Sequence, residues 1–376
     1  MFKHIARVLL GLTFIFSGFV KGIDPWGSTY KFTDYFNAFH MPWLTDLAFG
    51  LGVLLAAAEF IMGAALLFNF FIRITSWFTL AFMTFFTVLT FYLALTNPVT
   101  DCGCFGDALV ITNWQTFYKN IVLIALAIYI FAKRKDFEGK SGPVLSIGFT
   151  VMTSIFYFYL VVYSYHHLPI IDFSPYKVGV NIPEGMTVPE GAKKDIYENN
   201  FIYKNKKTGK SQEFTEANIP WQDTLTWEYE KSLDPVLIQK GYHPPIHDFR
   251  IETTEGEDIK DFFLYDENYT FVVIAYNLEK TSREGMTKMA ALAREAKAKG
   301  YQFIGLTASS PDSFEAFKNE TGAEFDFFNT DEVTLKTIIR ANPGLIVLKK
   351  GTIKKKYHFN DVPKPEDLEK QLDLLN

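Results

Sequence analysis

The sequence predicts a multi-domain protein, in which an α-helical membrane bundle is followed by a small β-rich segment and an α/β domain. Three observations support this prediction. Of the 376 residues, 48% are apolar and 17% are aromatic, and charged residues are sparse before His166. Apolar runs long enough to cross a bilayer recur in that part. After it, Lys, Asp and Glu become frequent, and short apolar runs alternate with helical patterns. The net charge of −5 gives no reason to expect nucleic-acid binding.

Five segments have the length and composition of membrane spans, since about 20 apolar residues cross the hydrocarbon core. They are residues 5–23, 47–70, 74–95, 111–132 and 143–165. Basic residues precede the apolar part of the first segment, as in a signal peptide, but no small-residue cleavage motif follows. We therefore interpret it as an uncleaved span, and we expect the lipid bilayer to surround all five segments.

The basic residues of the short loops predict the orientation of the spans. If successive spans alternate in direction, these residues fall on one side of the membrane, which should be the cytoplasmic side. They are Lys3, Arg7, Arg73, Lys133, Arg134 and Lys135. Everything after Tyr165, including residue 376, then faces outward. We therefore predict a multi-pass protein of the bacterial inner membrane with a periplasmic C-terminal domain, in a compartment where disulfides persist.

The two cysteines of the sequence, Cys102 and Cys104, lie between the third and fourth predicted spans. Residues 101–107, called the cysteine loop below, read Asp-Cys-Gly-Cys-Phe-Gly-Asp. A Cys-Gly-Cys disulfide is feasible because Gly103 has wide backbone freedom, and its small ring should be easily reduced. The pair is thus a candidate catalytic redox pair. The alternatives are a static disulfide or buried thiol pair, and a pair of metal ligands. The flanking carboxylates of Asp101 and Asp107 should disfavour a thiolate unless neighbouring donors compensate.

Glu59 lies in the middle of the second predicted span, where an ionised carboxylate is costly unless it is paired or neutral. We predict a structural ion pair with Arg7, near the corresponding edge of the first span, and a proton-carrying role for Glu59 is the alternative. Lys21 should extend towards the outer interface. The aromatic-rich residues 24–46 predict an amphipathic interfacial helix, which either forms an aromatic belt or covers the cysteine loop.

Residues 1–135 resemble the DoxX/MauE group of redox-associated membrane proteins. The resemblance rests above all on Asp-Cys-Gly-Cys-Phe-Gly, and also on Arg7, Gly11, Phe14, Gly18, Lys21, Glu59 and Gly63. It implies a four-helix membrane core, to which residues 136–167 add a fifth span. It also implies thiol–disulfide exchange or quinone-coupled thiol oxidation in the cell envelope. A quinone is the cofactor that this implies, and the implied partners are thiol-containing periplasmic proteins or a thioredoxin-like protein.

The part after the spans divides into two segments. Residues 168–246 contain several prolines and a hairpin pattern around Gly209, which predict a β-rich linker segment. Residues 247–376 alternate strands and helices and resemble the thioredoxin-like fold, with Asn342-Pro343-Gly344 at its cis-proline position. The Cys-x-x-Cys of that fold would lie near residues 280–283, where there is no cysteine, and exchange requires a thiolate. We predict a binding module with a peptide groove at Pro343, and a spacer is the alternative.

These features together predict a membrane thiol–disulfide redox component that supports oxidative maturation of periplasmic proteins through Cys102 and Cys104. It is a thiol–disulfide oxidoreductase if the pair cycles. The alternative from a different class is a non-enzymatic, membrane-anchored scaffold or assembly factor that presents the thioredoxin-like domain to clients. A transporter is disfavoured, because Glu59 is the only acidic residue inside the predicted spans and no inverted repeat is visible.

Overall fold

The structure, a computed structural model, describes residues 2–137, 142–239 and 241–374. Its first helices are α1 (Phe2–Ile23), α2 (Pro25–Ala38), α3 (Ala48–Phe68), α4 (Ile72–Thr96), α5 (Asn113–Ala132) and α6 (Pro143–His166). Among the described residues, five helices are long and apolar enough to cross a membrane, namely all of these except α2. The helical spans that the sequence predicts are thus confirmed. Residues 138–141 of the predicted segment 136–167, and residue 376, lie outside the described residues.

Helices α1 and α3 run antiparallel and approach each other at glycines. A Cβ atom on Gly18 would lie 2.6 Å from the backbone nitrogen of Phe60, and one on Gly63 would lie 2.6 Å from that of Ile15. Both distances are much shorter than a van der Waals contact, so only glycine permits this approach. Because the two backbones are so close, polar side chains at matching depth on α1 and α3 come into contact.

The other spans complete the bundle. Helix α4 packs against α5, and α6 packs against both α3 and α1. Helix α5 begins with a capping box, in which Thr112 and Gln115 exchange side-chain and backbone hydrogen bonds. Large apolar side chains on the outside of the helices, such as Phe78, Val144 and Ile155, are exposed. A surface that faces lipid explains this exposure, since such side chains meet hydrocarbon rather than water.

Residues 181–248 form a compact unit of their own. It contains the short helix α7 (Ile182–Met186) and strands β1 (Ile196–Glu198), β2 (Asn200–Asn205), β3 (Ser211–Thr215), β4 (Trp227–Ser232) and β5 (Val236–Gln239). Strand β2 pairs in antiparallel fashion with β3 and β4, and β1 pairs with β5. Gly209, in the turn between β2 and β3, has a φ of 69°. The β-rich character and the hairpin that the sequence predicts are confirmed.

The C-terminal domain has the thioredoxin-like fold that the sequence predicts. Its elements are α8 (Lys260–Leu264), β6 (Tyr269–Ile274), α9 (Arg283–Ala298), β7 (Gln302–Thr307), α10 (Phe314–Thr321), β8 (Phe327–Asn329), α11 (Glu332–Ile338), β9 (Gly344–Lys349), β10 (Thr352–His358) and α12 (Leu368–Asp373). The strand order is β10–β9–β6–β7–β8. Strands β6, β7 and β8 are parallel, and β9 is antiparallel to both β6 and β10. The Asn342–Pro343 bond before β9 is cis, as predicted.

The membrane helices and the thioredoxin-like domain belong to one compact unit, Met1–Val180 with Phe249–Asn376. The connector after α6 contributes to this unit through Asp172, whose carboxylate accepts a 2.5 Å hydrogen bond from Lys356 of β10. The backbone nitrogen of Gly179 also donates to the carbonyl of Ile353. The sequence predicts four segments with boundaries near residues 135, 167 and 246. Only the last boundary lies close to a division between compact units, and the other two stay predictions.

Candidate redox site

The cysteine loop brings the two thiols together. Gly103 and Gly106 have φ angles of 64° and 52°, which side chains disfavour, and the Gly106 nitrogen donates to the Gly103 carbonyl to close a tight turn. The Sγ atoms of Cys102 and Cys104 lie 2.7 Å apart, and both residues are free thiols. Cys102 is buried, and Cys104 is half-buried. The loop therefore holds the sulfur atoms close enough to be joined by a disulfide.

Helix α2 lies against the cysteine loop. The hydroxyl of Tyr35 donates a 3.0 Å hydrogen bond to the carbonyl of Cys102, and the ammonium of Lys31 lies 2.7 Å from the carboxylate of Asp101. The aliphatic carbons of Lys31 also cover Gly103. Of the two interpretations of residues 24–46, these contacts favour a helix that covers the loop.

The two thiols differ in acidity. The hydrogen bond from Cys102, together with the charges of Lys119 and Lys21, lowers the pKa of Cys104 to about 6, although burial acts in the opposite direction. The same hydrogen bond and burial raise the pKa of Cys102 well above its usual range. Cys104 is therefore the thiolate of the pair near neutral pH, and Cys102 stays protonated.

The compensation without which Asp101 and Asp107 should disfavour a thiolate is present, because each carboxylate is paired with a cation from another element. Asp101 pairs with Lys31, and Asp107 accepts a 2.6 Å bond from Nη2 of Arg340. An ion pair cancels much of the field that each carboxylate would exert on the thiols. The sequence around the cysteines does not reveal the partners Lys31 and Arg340, because both lie on other elements.

Arg340, which follows α11, joins the thioredoxin-like domain to this loop. Its side chain is 9% exposed, and its Nε lies 3.0 Å from Oδ2 of Asp24, the residue that caps α2. Its Nη2 binds Asp107. Burial disfavours the guanidinium, but the two carboxylates raise the pKa of Arg340 above its usual value. Sequence reasoning missed Arg340, since nothing local marks an arginine whose partners lie 316 and 233 residues away.

The predicted Arg7–Glu59 ion pair is wrong, and Lys21 takes the place of Arg7. The ammonium of Lys21 lies 2.8 Å from both carboxylate oxygens of Glu59, whereas Nη1 of Arg7 donates to the carbonyls of Leu66 and Leu67. The antiparallel packing explains the difference, because it places Glu59 level with Ser17. Ser17 lies about 15 Å along α1 from Arg7, at a rise of about 1.5 Å per residue, but only one turn from Lys21. Lys21 consequently does not extend to the interface.

A cavity of about 540 Å³ opens beside the thiols and is called the cysteine cavity below. Both cysteines line it, and the ion-paired Lys21 and Glu59 face it as well. Its walls are otherwise mainly aromatic and aliphatic side chains of α2, α3 and α4, including Phe32, Phe36, Leu51, Leu54, Phe85 and Phe86. The cavity thus combines an apolar interior with a polar end at the cysteine loop. Within the described residues, no group of His, Cys, Asp and Glu side chains could hold a metal ion.

The predicted peptide groove lies on the thioredoxin-like domain. Pro343 is buried, and the neighbouring Asn342 binds the loop that replaces the Cys-x-x-Cys. Its side chain donates to the carbonyl of Asn277 and accepts from the hydroxyl of Thr281, and its carbonyl accepts from the Ser282 nitrogen. Hydrogen bonds within the domain therefore occupy the backbone carbonyl before Pro343. A peptide groove at this position stays a prediction.

The fold and the site define a multi-pass membrane protein that carries a cysteine pair in a loop between two spans and a thioredoxin-like domain without cysteines. Residues 1–133 match the sequence model of the family described as Methylamine utilisation protein MauE. This match confirms the MauE resemblance of the N-terminal part, and the wider DoxX grouping stays a prediction. Residues 197–240 match a second family, described as Domain of unknown function (DUF8463).

A curated relative is Protein TlpB from Flavobacterium psychrophilum, which is 26% identical over 169 residues. The alignment covers 42% of this chain and 44% of that protein, so the chain spans less than half the length of this relative. Two solved structures are also similar. StoA from Bacillus subtilis matches with a TM-score of 0.26 and 15% identity, over 33% of this chain and 95% of that chain. A DsbF homologue from Corynebacterium diphtheriae matches with a TM-score of 0.26 and 14% identity, over 34% and 83%. The fold assignment depends on the strand order and the cis proline, not on these likenesses.

Proposed function

We propose that this protein is a thiol–disulfide oxidoreductase of the bacterial cell envelope, in which Cys102 and Cys104 cycle between a dithiol and a disulfide. The observation that carries the proposal is the pair of thiols 2.7 Å apart at the polar end of the cysteine cavity. A redox function explains why two thiols of unequal acidity stand beside a buried ion pair. A static thiol pair needs none of these features.

The proposal includes an orientation. The basic residues of the short loops favour a cytoplasmic location for the start of α1 and the end of α5, which places the cysteine loop on the opposite side of the membrane. The ion pairs of Arg340 with Asp24 and Asp107 require the thioredoxin-like domain to be on that side too. The periplasm is an oxidising compartment, where such a pair would meet protein thiols.

A quinone is the electron acceptor that the cysteine cavity fits best. The volume of about 540 Å³ and the apolar walls suit a hydrophobic ring, and the ammonium groups of Lys21 and Lys31 at the polar end suit its oxygens. Two lining residues, Leu54 and Phe85, are each 62% exposed, so the cavity lies next to the lipid-facing surface. Oxidation of the dithiol breaks two S–H bonds, forms one S–S bond and releases two electrons and two protons. A quinone that takes them becomes a quinol.

The unequal acidity of the thiols assigns the atoms of the exchange with a client protein. A client thiolate attacks the sulfur whose partner is the better leaving group, and the thiol of lower pKa leaves faster. Cys104 has the lower pKa, so the client attacks Cys102 and Cys104 leaves as a thiolate. The second client thiol then breaks the mixed disulfide and leaves a client disulfide and a reduced pair. Electrons therefore pass from the client to Cys102 and Cys104, and then to the quinone.

The test uses Cys102→Ser, Cys104→Ser and the double variant in cells quenched with acid. We expect Cys104→Ser to accumulate more reducible adducts than Cys102→Ser, because its Cys102 thiol can form a mixed disulfide by exchange with a client disulfide, and Cys104 is no longer present to attack that bond and displace the client. In the parent protein, depletion of respiratory quinone should shift the pair towards the dithiol. If neither single variant forms adducts, and the double variant leaves envelope disulfides unchanged, the redox function is wrong.

One observation favours a second function, that of a membrane-anchored scaffold. Arg340 fixes a domain without cysteines to the cysteine loop. Such a domain can bind a client protein but cannot exchange disulfides with it. In this case the double cysteine variant retains full function, whereas variants that detach the domain lose it. A comparison of the double cysteine variant with the variants that detach the domain therefore distinguishes the two functions.

A further inference from the structure

The ion pair between Lys21 and Glu59 is placed where stability alone does not require it. Their side chains are 10% and 8% exposed, inside a bundle of apolar helices. Two charges removed from water recover the cost of desolvation only partly from their mutual attraction, and apolar replacements are often as stable. Ionisable residues inside a membrane bundle therefore point to function more often than to stability.

The pair is connected to the cysteine loop through Ser17. The Ser17 hydroxyl donates to Oε2 of Glu59 at 2.7 Å and also lies 2.7 Å from the carbonyl oxygen of Cys104. It accepts a 3.2 Å bond from Lys21. A hydroxyl has one proton to donate, so Ser17 bonds either to the carboxylate or to the carbonyl at a given moment. The charge on Glu59 is thereby linked to the position of Cys104.

The ion pair and the thiols also share open space. Lys21, Glu59 and both cysteines line the cysteine cavity, and Glu59 and Cys104 line a second, small cavity with Lys119. The carboxylate therefore faces the same cavities as the thiols, where their oxidation releases protons. Other charged or titratable groups around it are Lys31 and Tyr35 of α2, Lys119 of α5, Tyr157 of α6 and Asp101 of the cysteine loop.

We propose that Lys21 and Glu59 are the proton-exchanging pair of the redox site: Lys21 stabilises the Cys104 thiolate, and Glu59 accepts the proton that this thiol loses and passes it to the acceptor in the cysteine cavity. The inference rests on the proposed redox function. In each cycle the dithiol loses two electrons and two protons and forms the S–S bond; the Cys104 proton leaves before this bond forms and the Cys102 proton leaves with it. The two electrons and two protons form two O–H bonds on a quinone, and one of these protons travels through Glu59. The exchange of that proton alters the hydrogen bond from Ser17, which couples it to the cysteine loop.

The first arm of the test measures the Cys104 thiolate without any quinone or client. The reduced full-length protein in detergent is alkylated with iodoacetamide across pH 4–9, and Cys104 is quantified by peptide mass spectrometry. The parent should reach half of its maximal rate at about pH 6. Lys21→Met should raise this midpoint by about one unit, a roughly fivefold slower reaction at pH 6, and Lys21→Arg should restore it. The control Lys31→Met, which lines the same cavity but pairs with Asp101, should shift it less.

The second arm follows the oxidation of the pair by a short-chain ubiquinone analogue in a single turnover. Glu59→Gln keeps Lys21, so the alkylation midpoint should stay or fall, yet oxidation should slow by about tenfold because the proton acceptor is lost. A merely structural role would not separate these two readouts. Glu59→Asp should recover part of the rate. If Lys21→Met is poorly folded, the oxidation rate and the alkylation midpoint of Glu59→Gln still test the inference.

Two results would overturn the inference: an unchanged midpoint in a folded Lys21→Met variant, or an unchanged oxidation rate in Glu59→Gln. If the analogue does not oxidise even the parent, the quinone step of the proposed function fails. The alkylation arm then still tests Lys21. The failure of the inference and the failure of the function are therefore distinguishable.

Discussion

The membrane helices and the thioredoxin-like domain each carry one half of what a thiol-exchange site needs. The membrane part holds Cys102 and Cys104 in a seven-residue loop, beside a buried ion pair and an apolar cavity. The soluble domain has the strand order and cis proline of a thioredoxin-like fold, yet Asn342 fills the position opposite the missing cysteines with hydrogen bonds to its own loop. A thioredoxin-like fold does not by itself provide thiol chemistry, which depends on the residues of the local site. In this protein, the cysteine pair and the thioredoxin-like fold lie in different parts of one compact unit.

The largest effect should come from changing one member of the buried ion pair in the membrane part. Lys21→Met leaves the Glu59 carboxylate uncompensated between apolar helices, which should cost about 3–5 kcal/mol of folding stability. The double variant with Glu59→Gln should cost clearly less than the sum of the single changes. Thermal unfolding followed by fluorescence-detected gel filtration measures these losses. The pair Arg7→Met and Glu59→Gln is the control, and its two losses should add, because Arg7 binds the Leu66 and Leu67 carbonyls.

The second prediction separates the two halves. Arg340→Met removes the ion pairs with Asp24 and Asp107 and leaves two carboxylates without their cation, at a cost of about 2–3 kcal/mol. Hydrogen exchange in α2 and in the cysteine loop should become faster. Arg294→Gln is the matched control, since its ion pair with Glu324 is exposed and should contribute less than about 1 kcal/mol. Equal protection in both variants would show that Arg340 does not hold the loop.

The third prediction concerns the helix packing that brings Lys21 to Glu59. Gly18→Ala places a methyl group 2.6 Å from the backbone of Phe60, so α1 and α3 must move apart, at a cost of about 1–3 kcal/mol. Gly50→Ala, on the same pair of helices, meets no atom within 4 Å and should be nearly neutral. The unfolding temperatures of the two variants give the comparison. Similar losses would contradict the role of close backbone contact.

The smallest change in stability, but a clear change in pH dependence, should follow Cys102→Ala. The parent Cys104 has a pKa of about 6, so its thiolate fraction rises as pH increases through 6. Removal of the Cys102 hydrogen bond, the largest cause of this lowering, should move the midpoint to higher pH. Alkylation of Cys104 against pH measures the shift. A midpoint that stays near 6 would assign the acidity to Lys119 and Lys21 instead.

Patterns of apolar residues predicted the larger features, and contacts between distant elements decided the details. The spans and the α/β order follow from period and length, and the cis proline at Pro343 follows from the resemblance to the thioredoxin-like fold, so the sequence sufficed for them. The partner of Glu59 could not be predicted from the sequence, because it depends on the register of α1 against α3. Glycine packing sets this register. Arg340 was missed for the same reason. The cysteine pair was recognised, but the acidity of Cys104 could not be predicted, because the cations that pair with the neighbouring acids come from distant elements.

The position of Arg340 in the chain has a consequence for biosynthesis. Its carboxylate partners are made 316 and 233 residues earlier, so the ribosome has released α2 and the cysteine loop long before the arginine exists. During this interval the loop has both thiols but lacks the cation that neutralises Asp107, and α2 is not yet attached at its first turn. The contacts of the cysteine loop are therefore completed only when the thioredoxin-like domain, which is synthesised after the spans, has reached the same side of the membrane and folded. A chain interrupted before α11 would insert every span and still expose an unfinished cysteine pair.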